Sequence, residues 1–447
     1  MPDRNISRFL VVLALVALGA GGCGGWMSKS ASPVSDKPPA PPPAAAAIPS
    51  EADAVEGTIR FLEERIKSDP DDFIAYNKLC GYYLRAVQET GDMKYLELAS
   101  RASAASLKAM PAEVNPGGLA SLIQAEYMSH DFARARDHAL QLKEVQPRKS
   151  LSYQLLGEAL IELGEYEQGE QALRQMERLS GGLNFTTETR LARVDLLHGR
   201  QKEAQRRYTN ALALALDQAS PSRETVAWCY WQLGEVAFMS GDYERAEKHY
   251  GESLTTYPDY YRAVASLGRV RAARGDLAGG IEQYEKVVRR LPDPNYVAAL
   301  GDLYKLAGKE REAATQYATV EQIARLSALN GALYNRQLAL FYADHDIKPA
   351  EAYALAAKEY EVRRDIYGAD ALAWTALKAG KLDAAQAALK DALRLGTADP
   401  KLLYHAGMIA RAAGDKTRAS DYLKRALALS PQFDPLQAKT AREALAE

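Results

Sequence analysis

The sequence predicts an all-α fold, a solenoid of about ten helical hairpins with a capping helix at each end, and three columns of residues carry that expectation. The first is a small or apolar residue recurring as Gly81, Ile123, Gly157, Ala192, Gly234, Gly268, Gly301, Ala339, Ala373 and Gly407, at intervals of 42, 34, 35, 42, 34, 33, 38, 34 and 34 residues. The second is a turn residue seven positions on, at Gly164, Gly199, Gly241, Gly275, Gly308, Gly380 and Gly414, with His130 and Asp346 in the same place and Gly91 displaced by an insertion. The third is a small residue beyond the turn, at Ala99, Ala135, Gly169, Ala204, Ala246, Gly280, Ala313, Ala385 and Ala419, with closing prolines at Pro111, Pro147, Pro258, Pro292 and Pro431. A lone hairpin cannot bury both of its faces, so each unit depends on stacking against the next.

The clearest unit runs from Tyr230 to Pro258. It carries an aromatic, a Leu-Gly pair, a small residue, a second aromatic and a closing proline at Tyr230, Leu233, Gly234, Ala246, Tyr250 and Pro258. In this it resembles a tetratricopeptide repeat, and the resemblance implies a right-handed superhelical solenoid over residues 51–447. Gly234 is expected to let the two helices approach closely, and Gly241 to end the first helix in the left-handed conformation. Ala246 and Tyr250, four apart on the second helix, share the face that packs back on the first.

Taken in order, the chain begins with Arg4 and Arg8, then an apolar run from Phe9 to Ala20 that is too short to span a bilayer and reads as an export signal over 1–22. Cys23 after Gly21-Gly22 resembles the lipidated cysteine of bacterial lipoproteins, with Ala20 standing where Leu is usual. Residues 23–50 are rich in Pro, Ala and Ser and read as a disordered tether. Val55, Ile59, Leu62 and Ile66 have helical spacing and define a capping helix within 51–70, and residues 435–447 form the matching cap at the other end. The two 42-residue intervals imply lengthened helices or loops, the second with Ser220-Pro221 as N-cap and first helical residue. The 38-residue interval implies an extended second helix in repeat 7, and repeat 8 needs a one-residue shift to place Ala352.

Composition narrows the chemistry. With 56 basic against 58 acidic side chains the net charge is -2, which gives no reason to expect a nucleic-acid partner. Cys80 and Cys229 fall about four repeats apart, beyond disulfide reach in a solenoid, and read as buried thiols. The motifs of zinc proteases, serine hydrolases and phosphate-binding loops are absent, and so is Cys-x-x-Cys. Asp344-His345-Asp346 is the one cluster with ligand character, and it falls at a turn where polar residues are expected. No catalytic residue, metal or cofactor is therefore assigned. The 25 tyrosines, against eight phenylalanines, are mostly absorbed by packing columns such as Tyr208, Tyr250, Tyr284 and Tyr317.

Function is then expected on the surface. The resemblance implies that the first helices line a concave groove through four positions per unit, which in the unit above are Trp228, Trp231, Glu235 and Phe238. Neighbouring units add Arg193, Arg262, Arg269, Asp302 and Lys305. Two readings of the tryptophans stand: they face the groove with Phe238, as anchors for a protein or peptide partner, or they pack against the lengthened fourth repeat. The carboxylate-clamp subtype of the family wants Lys and then Asn, and here Lys78 is followed by Tyr82, so that specificity is not carried over. The expectation is a protein-binding scaffold tethered through Cys23 to the lipid bilayer of a bacterial envelope, as an outer-membrane lipoprotein facing the periplasm. The alternatives are an assembly factor for a secretion, pilus or exopolysaccharide machine, and a glycan binder or enzyme.

Overall fold

The computed structural model describes residues 51–329 and 335–447, so the signal, Cys23 and the tether lie outside the described residues. Among the described residues every regular element is an α-helix, and the helices pair into ten antiparallel hairpins. Helix α1 (Glu51–Ser68) caps repeat 1, which is α2 (Phe73–Thr90) with α3 (Lys94–Ala109). Repeats 2 to 5 follow as α4 (Pro116–Met128) with α5 (Phe132–Val145), α6 (Ser150–Leu163) with α7 (Tyr166–Leu179), α8 (Phe185–Leu197) with α9 (Gln201–Leu216), and α10 (Arg223–Met239) with α11 (Tyr243–Thr256). Repeats 6 and 7 are α12 (Tyr261–Ala273) with α13 (Leu277–Arg290), and α14 (Pro294–Leu306) with α15 (Glu310–Leu329). Repeats 8 to 10 are α16 (Asn335–Asp344) with α17 (Pro349–Val362), α18 (Ile366–Lys378) with α19 (Leu382–Ala392), and α20 (Pro400–Ala412) with α21 (Lys416–Leu429), and α22 (Gln437–Ala446) closes the stack.

The local chemistry of one turn recurs. Gly241 takes φ +73° and ends α10, and the next residue, Asp242, accepts the Arg245 backbone N–H at 3.1 Å to start α11. Close approach is enforced at Gly234, where an added Cβ would stand 2.3 Å from the Tyr250 ring. The caps work as their sequences require: Val55, Ile59 and Leu62 join the core around Leu79 and Tyr83, while Ala438 and Ala441 are fully buried against Leu423 and Ala426.

The irregular intervals resolve into longer helices. Helices α2 and α3 have 18 and 16 residues, α9 and α10 have 16 and 17, and α15 is described over 20. One local expectation is corrected. The cap of α10 is Ser222, whose hydroxyl accepts the Thr225 N–H at 3.3 Å, two residues beyond Ser220. Pro221 therefore precedes the helix, where its missing N–H is not needed.

The stack also touches itself. The turns inside repeats 3, 4 and 5 meet the junctions that follow repeats 8, 9 and 10, about five repeats further along. The Tyr166 hydroxyl accepts the Ile366 N–H at 2.8 Å, and Arg394 donates to the Gly164 and Arg364 carbonyls at 3.0 and 2.8 Å. One repeat on, Thr397 donates to the Leu196 carbonyl at 3.2 Å and Gln201 to the Ala398 carbonyl at 3.1 Å. In the next, Ser430 donates to the Phe238 carbonyl at 3.1 Å, and the Tyr243 hydroxyl accepts the Gln432 N–H at 2.7 Å. We call this seam the clasp. A simple solenoid has only nearest-neighbour contacts, and this chain departs from that picture.

Candidate functional site

Of the six expected site residues of repeats 5 and 6, Trp231, Phe238 and Arg269 gather around the carboxylate of a fourth, Glu235. Glu235 accepts from the Tyr250 hydroxyl at 2.8 Å, from Ser266 at 2.8 Å and from Arg269 at 2.6 Å. Trp231 extends the chain by donating its indole N–H to Ser266 at 3.0 Å. The Arg269 guanidinium also covers the Phe238 ring, 4.0 Å from its centroid. Burial pushes the Tyr250 phenol well above its ordinary range, the Glu235 charge adds to this, and Arg269 opposes it. Arg262 stands apart: it lies 5.4 Å from the Trp231 ring and 5.5 Å from the Tyr261 ring, and among the described residues no carboxylate pairs with it.

The tryptophans and Phe238 divide between the two expectations. Phe238 is corrected from exposed groove to core: it is 4% exposed and packs with Ala246, Tyr250, Leu267 and Val270. The physical reason is that repeat 6 lies over it, and Arg269 seals its remaining face. Trp228 is half-buried and packs edge-on to Tyr208 at 6.0 Å and beside Phe185 at 6.1 Å, as in the packing reading. Trp231 is half-buried, its ring shared between the core and Arg262.

The remaining expected residues join other clusters. Arg193 donates to the Tyr127 hydroxyl at 3.0 Å and pairs with Glu162. Glu162 also pairs with Arg363, from the clasp junction after repeat 8. Burial alone would raise the Glu162 carboxyl, but the two guanidinium groups hold it down to about 2. Asp302 accepts from the Tyr317 hydroxyl at 2.8 Å and lies 2.7 Å from His345 Nε2. Lys305 is exposed.

Asp344, His345 and Asp346 are directed apart. Asp344 binds Trp374 at 2.8 Å and Lys401 at 2.9 Å, His345 binds Asp302, and Asp346 binds Lys378 at 2.7 Å. They are turn and packing residues rather than ligands of one ion. Cys80 and Cys229 are both buried and free, and burial pushes both thiols up to about 12.

Sequence reasoning missed Glu162, Tyr127 and Arg363. Glu162 sits one residue past the last groove column of its repeat, and its partner Arg363 lies 201 residues away. No local pattern joins them.

The fold defines a class, a solenoid of stacked helical hairpins. Tetratricopeptide-repeat family models match residues 151–180, 183–259, 232–295 and 371–432. The chain is a tetratricopeptide-repeat protein, and this fold implies a protein–protein interaction scaffold. No curated protein sequence matches the chain. Solved structures similar to it include PilW, a widely conserved type IV pilus biogenesis factor, at 17% identity over 47% of this chain and 93% of that one, with a TM-score of 0.39. A human IFIT1 dimer with PPP-AAAA matches at 15% identity over 83% and 86%, with a TM-score of 0.46. A tetratricopeptide repeat protein from Parabacteroides merdae matches at 15% identity over 59% and 97%, with a TM-score of 0.34.

Proposed function

We propose that this chain is a scaffold tethered to a bacterial envelope membrane through Cys23, holding an extended, acid-bearing segment of a partner protein along the concave trough. The observation that carries the reading is Arg262. Most guanidinium groups of the trough are already matched to carboxylates, Arg193 to Glu162 and Arg269 to Glu235. Arg262 rests on the faces of Trp231 and Tyr261 without a carboxylate among the described residues. Its Nε–H donates to the Tyr261 hydroxyl at 3.1 Å, and its remaining N–H groups suit a carboxylate, with Trp, Tyr and Arg the side chains that dominate binding energy at interfaces.

Two experiments test the reading. A photoreactive phenylalanine analogue at Trp231 should cross-link one envelope protein, and Arg262→Ala should abolish the adduct. An adduct indifferent to Arg262 removes the site. Metabolic fatty-acid labelling should tag the native chain and not Cys23→Ser, which should then be released from the membrane fraction; equal labelling of both removes the tether.

A further inference from the structure

We propose that this chain docks head to tail on a second copy of itself, the junctions that open repeats 1–5 of one copy resting on the turns of repeats 6–10 of the next. The contact lies on the edges of the stack and does not use the trough.

A stack of antiparallel hairpins has two edges, one made of the turns inside repeats and the other of the junctions between them. The clasp joins one kind of edge to the other, and contacts of the same kind reach all five turns of repeats 1–5. An added Cβ at Gly91 would stand 2.8 Å from the Leu291 side chain, and at Gly164, Gly199 or Gly241 it would meet residues 364, 396–398 or 429–431. In repeat 2 the Arg363 guanidinium lies 4.8 Å from the centroid of the Phe132 ring, two residues past the turn. This seam is packed as well as hydrogen-bonded: Ile366 is fully buried in one apolar cluster with Ile161, Tyr166, Leu173, Met176 and Leu191.

Two edges are left open. Among the described residues, a large apolar side chain is exposed in or beside each of the five junctions that open repeats 1–5: Ile74, Val114, Leu151, Leu183 and Leu216, from 39% to 66% exposed. Ile74 stands seven residues before Gly81, the place that Ile366 takes before Ala373, yet Ile366 is buried by the clasp and Ile74 is 51% exposed. On the turn edge of repeats 6–10, an added Cβ at Gly275, Gly308, Gly380 or Gly414 would meet nothing within 4 Å, and Leu306 beside Gly308 is an exposed apolar side chain.

The occupant follows from continuity with the seam. A junction edge of this chain fits a turn edge of this chain, and each copy keeps one of each open. A row of exposed apolar side chains marks a docking surface. Because two different surfaces meet, the contact is heterologous and does not close at two copies. The open turns carry Glu310, Lys348 and Lys416 where the covered ones carry Tyr166 and Tyr243, so the contact between copies is weaker than the seam and reversible.

The test uses the Cys23→Ser chain, which removes the tether from the measurement. Its sedimenting mass should rise with concentration past that of a dimer. Val114→Asp with Leu183→Asp, both at exposed positions, should melt like the native chain and need about tenfold more protein to reach the same average mass. Orientation is read by cross-linking two differently tagged copies with a flexible bis-maleimide, the native Cys80 and Cys229 thiols being buried. Leu183→Cys or Val114→Cys in one copy should join Leu306→Cys in the other, and neither should join its own kind. A chain that stays monomeric at every concentration overturns the proposal, and so does a closed dimer cross-linked between like positions. If the two Asp substitutions instead abolish capture by lipid vesicles and leave the sedimenting mass unchanged, the edge serves a bilayer and the proposal also falls. Arg262→Ala should associate like the native chain; loss of association there would place the contact in the trough and overturn the edge-to-edge docking, whereas loss of the Trp231 adduct bears only on the trough.

Discussion

The Tyr166 hydroxyl and the Ile366 amide meet at 2.8 Å across 200 residues of sequence, and this bond is buried. Tyr166→Phe leaves the ring in place and removes the acceptor, so the Ile366 N–H is left buried without a partner. The expected cost is about 1 to 3 kcal/mol. Hydrogen exchange should quicken at Ile366 and in both repeats 3 and 9, with repeats 6 and 7 little changed. Loosening confined to repeat 3 would mean that the seam does not form in solution.

Glu162 ties pH to the same seam. Its carboxyl is held at about 2 in the folded chain against an ordinary 4.5. Because the folded value is the lower one, the stabilisation is complete above about pH 4.5 and fades as the pH falls towards 2. Its size is on the order of 3 kcal/mol. Glu162→Gln should lose comparable stability at pH 7, since Arg193 and Arg363 are left without a counter-charge, and should flatten the acid limb of the stability profile. Thermal melts between pH 2 and 7 on both chains make the comparison; parallel profiles would show that the shift has no energetic weight.

His345 works in the opposite sense. Burial lowers its pKa, but the bond to Asp302 and the Phe341 carbonyl, 2.7 Å from Nδ1, raise it on balance above 6.5. A raised folded pKa stabilises the fold below about 6.5 and loses that contribution as the pH climbs through the folded value. The imidazole resonances of His345 should titrate above 6.5 in the native chain and shift down in Asp302→Asn. A midpoint unmoved by that substitution would detach His345 from Asp302.

How much of this was legible depends on how local each feature is. Gly234 and Tyr250 are partners within one hairpin, and their spacing repeats down the chain, so the stack could be read from the residues. Phe238 could not be placed, because the same four-position face serves core and trough, and which one wins depends on Leu267 and Val270 of the next repeat. The clasp left still less trace. Its acceptors are mostly backbone carbonyls, which every residue has, and its donors are the Ile366 and Gln432 amides and polar side chains of common types. The one local hint is an aromatic two residues after the turn at Tyr166 and Tyr243, and the third clasp turn, at Gly199, carries Gln201 there instead.

Close packing inside a hairpin gives a sharper test of the repeat geometry. Gly234→Ala puts a methyl group 2.3 Å from the Tyr250 ring, so the ring or the helix must move. The expected cost is about 1 to 3 kcal/mol. Tyr250 is fully buried and bonded to Glu235, so its displacement should also release Arg269. A melting temperature equal to the native one would mean that α10 and α11 are further apart than described.

Trp231 and Phe238 separate binding from stability. Phe238 is core, and Phe238→Ala should cost about 3 to 5 kcal/mol. It should also strip Arg269 of the ring beneath it. Trp231→Phe keeps most of the apolar body and removes only the indole N–H, while Ser266 retains its bond to Glu235. Its cost should stay near 0.5 to 1.5 kcal/mol, the net value of one hydrogen bond. For Arg262→Ala the fold loses stacking but no ion pair, so stability should change by about 1 kcal/mol or less while partner capture is lost. Chemical denaturation of the three variants beside cross-linking yields therefore orders them: Phe238→Ala unstable, Trp231→Phe near native, Arg262→Ala stable and inactive. If Arg262→Ala instead proved as damaging to the fold as Phe238→Ala, the Arg262 cluster would be structural packing, and the trough would need another anchor.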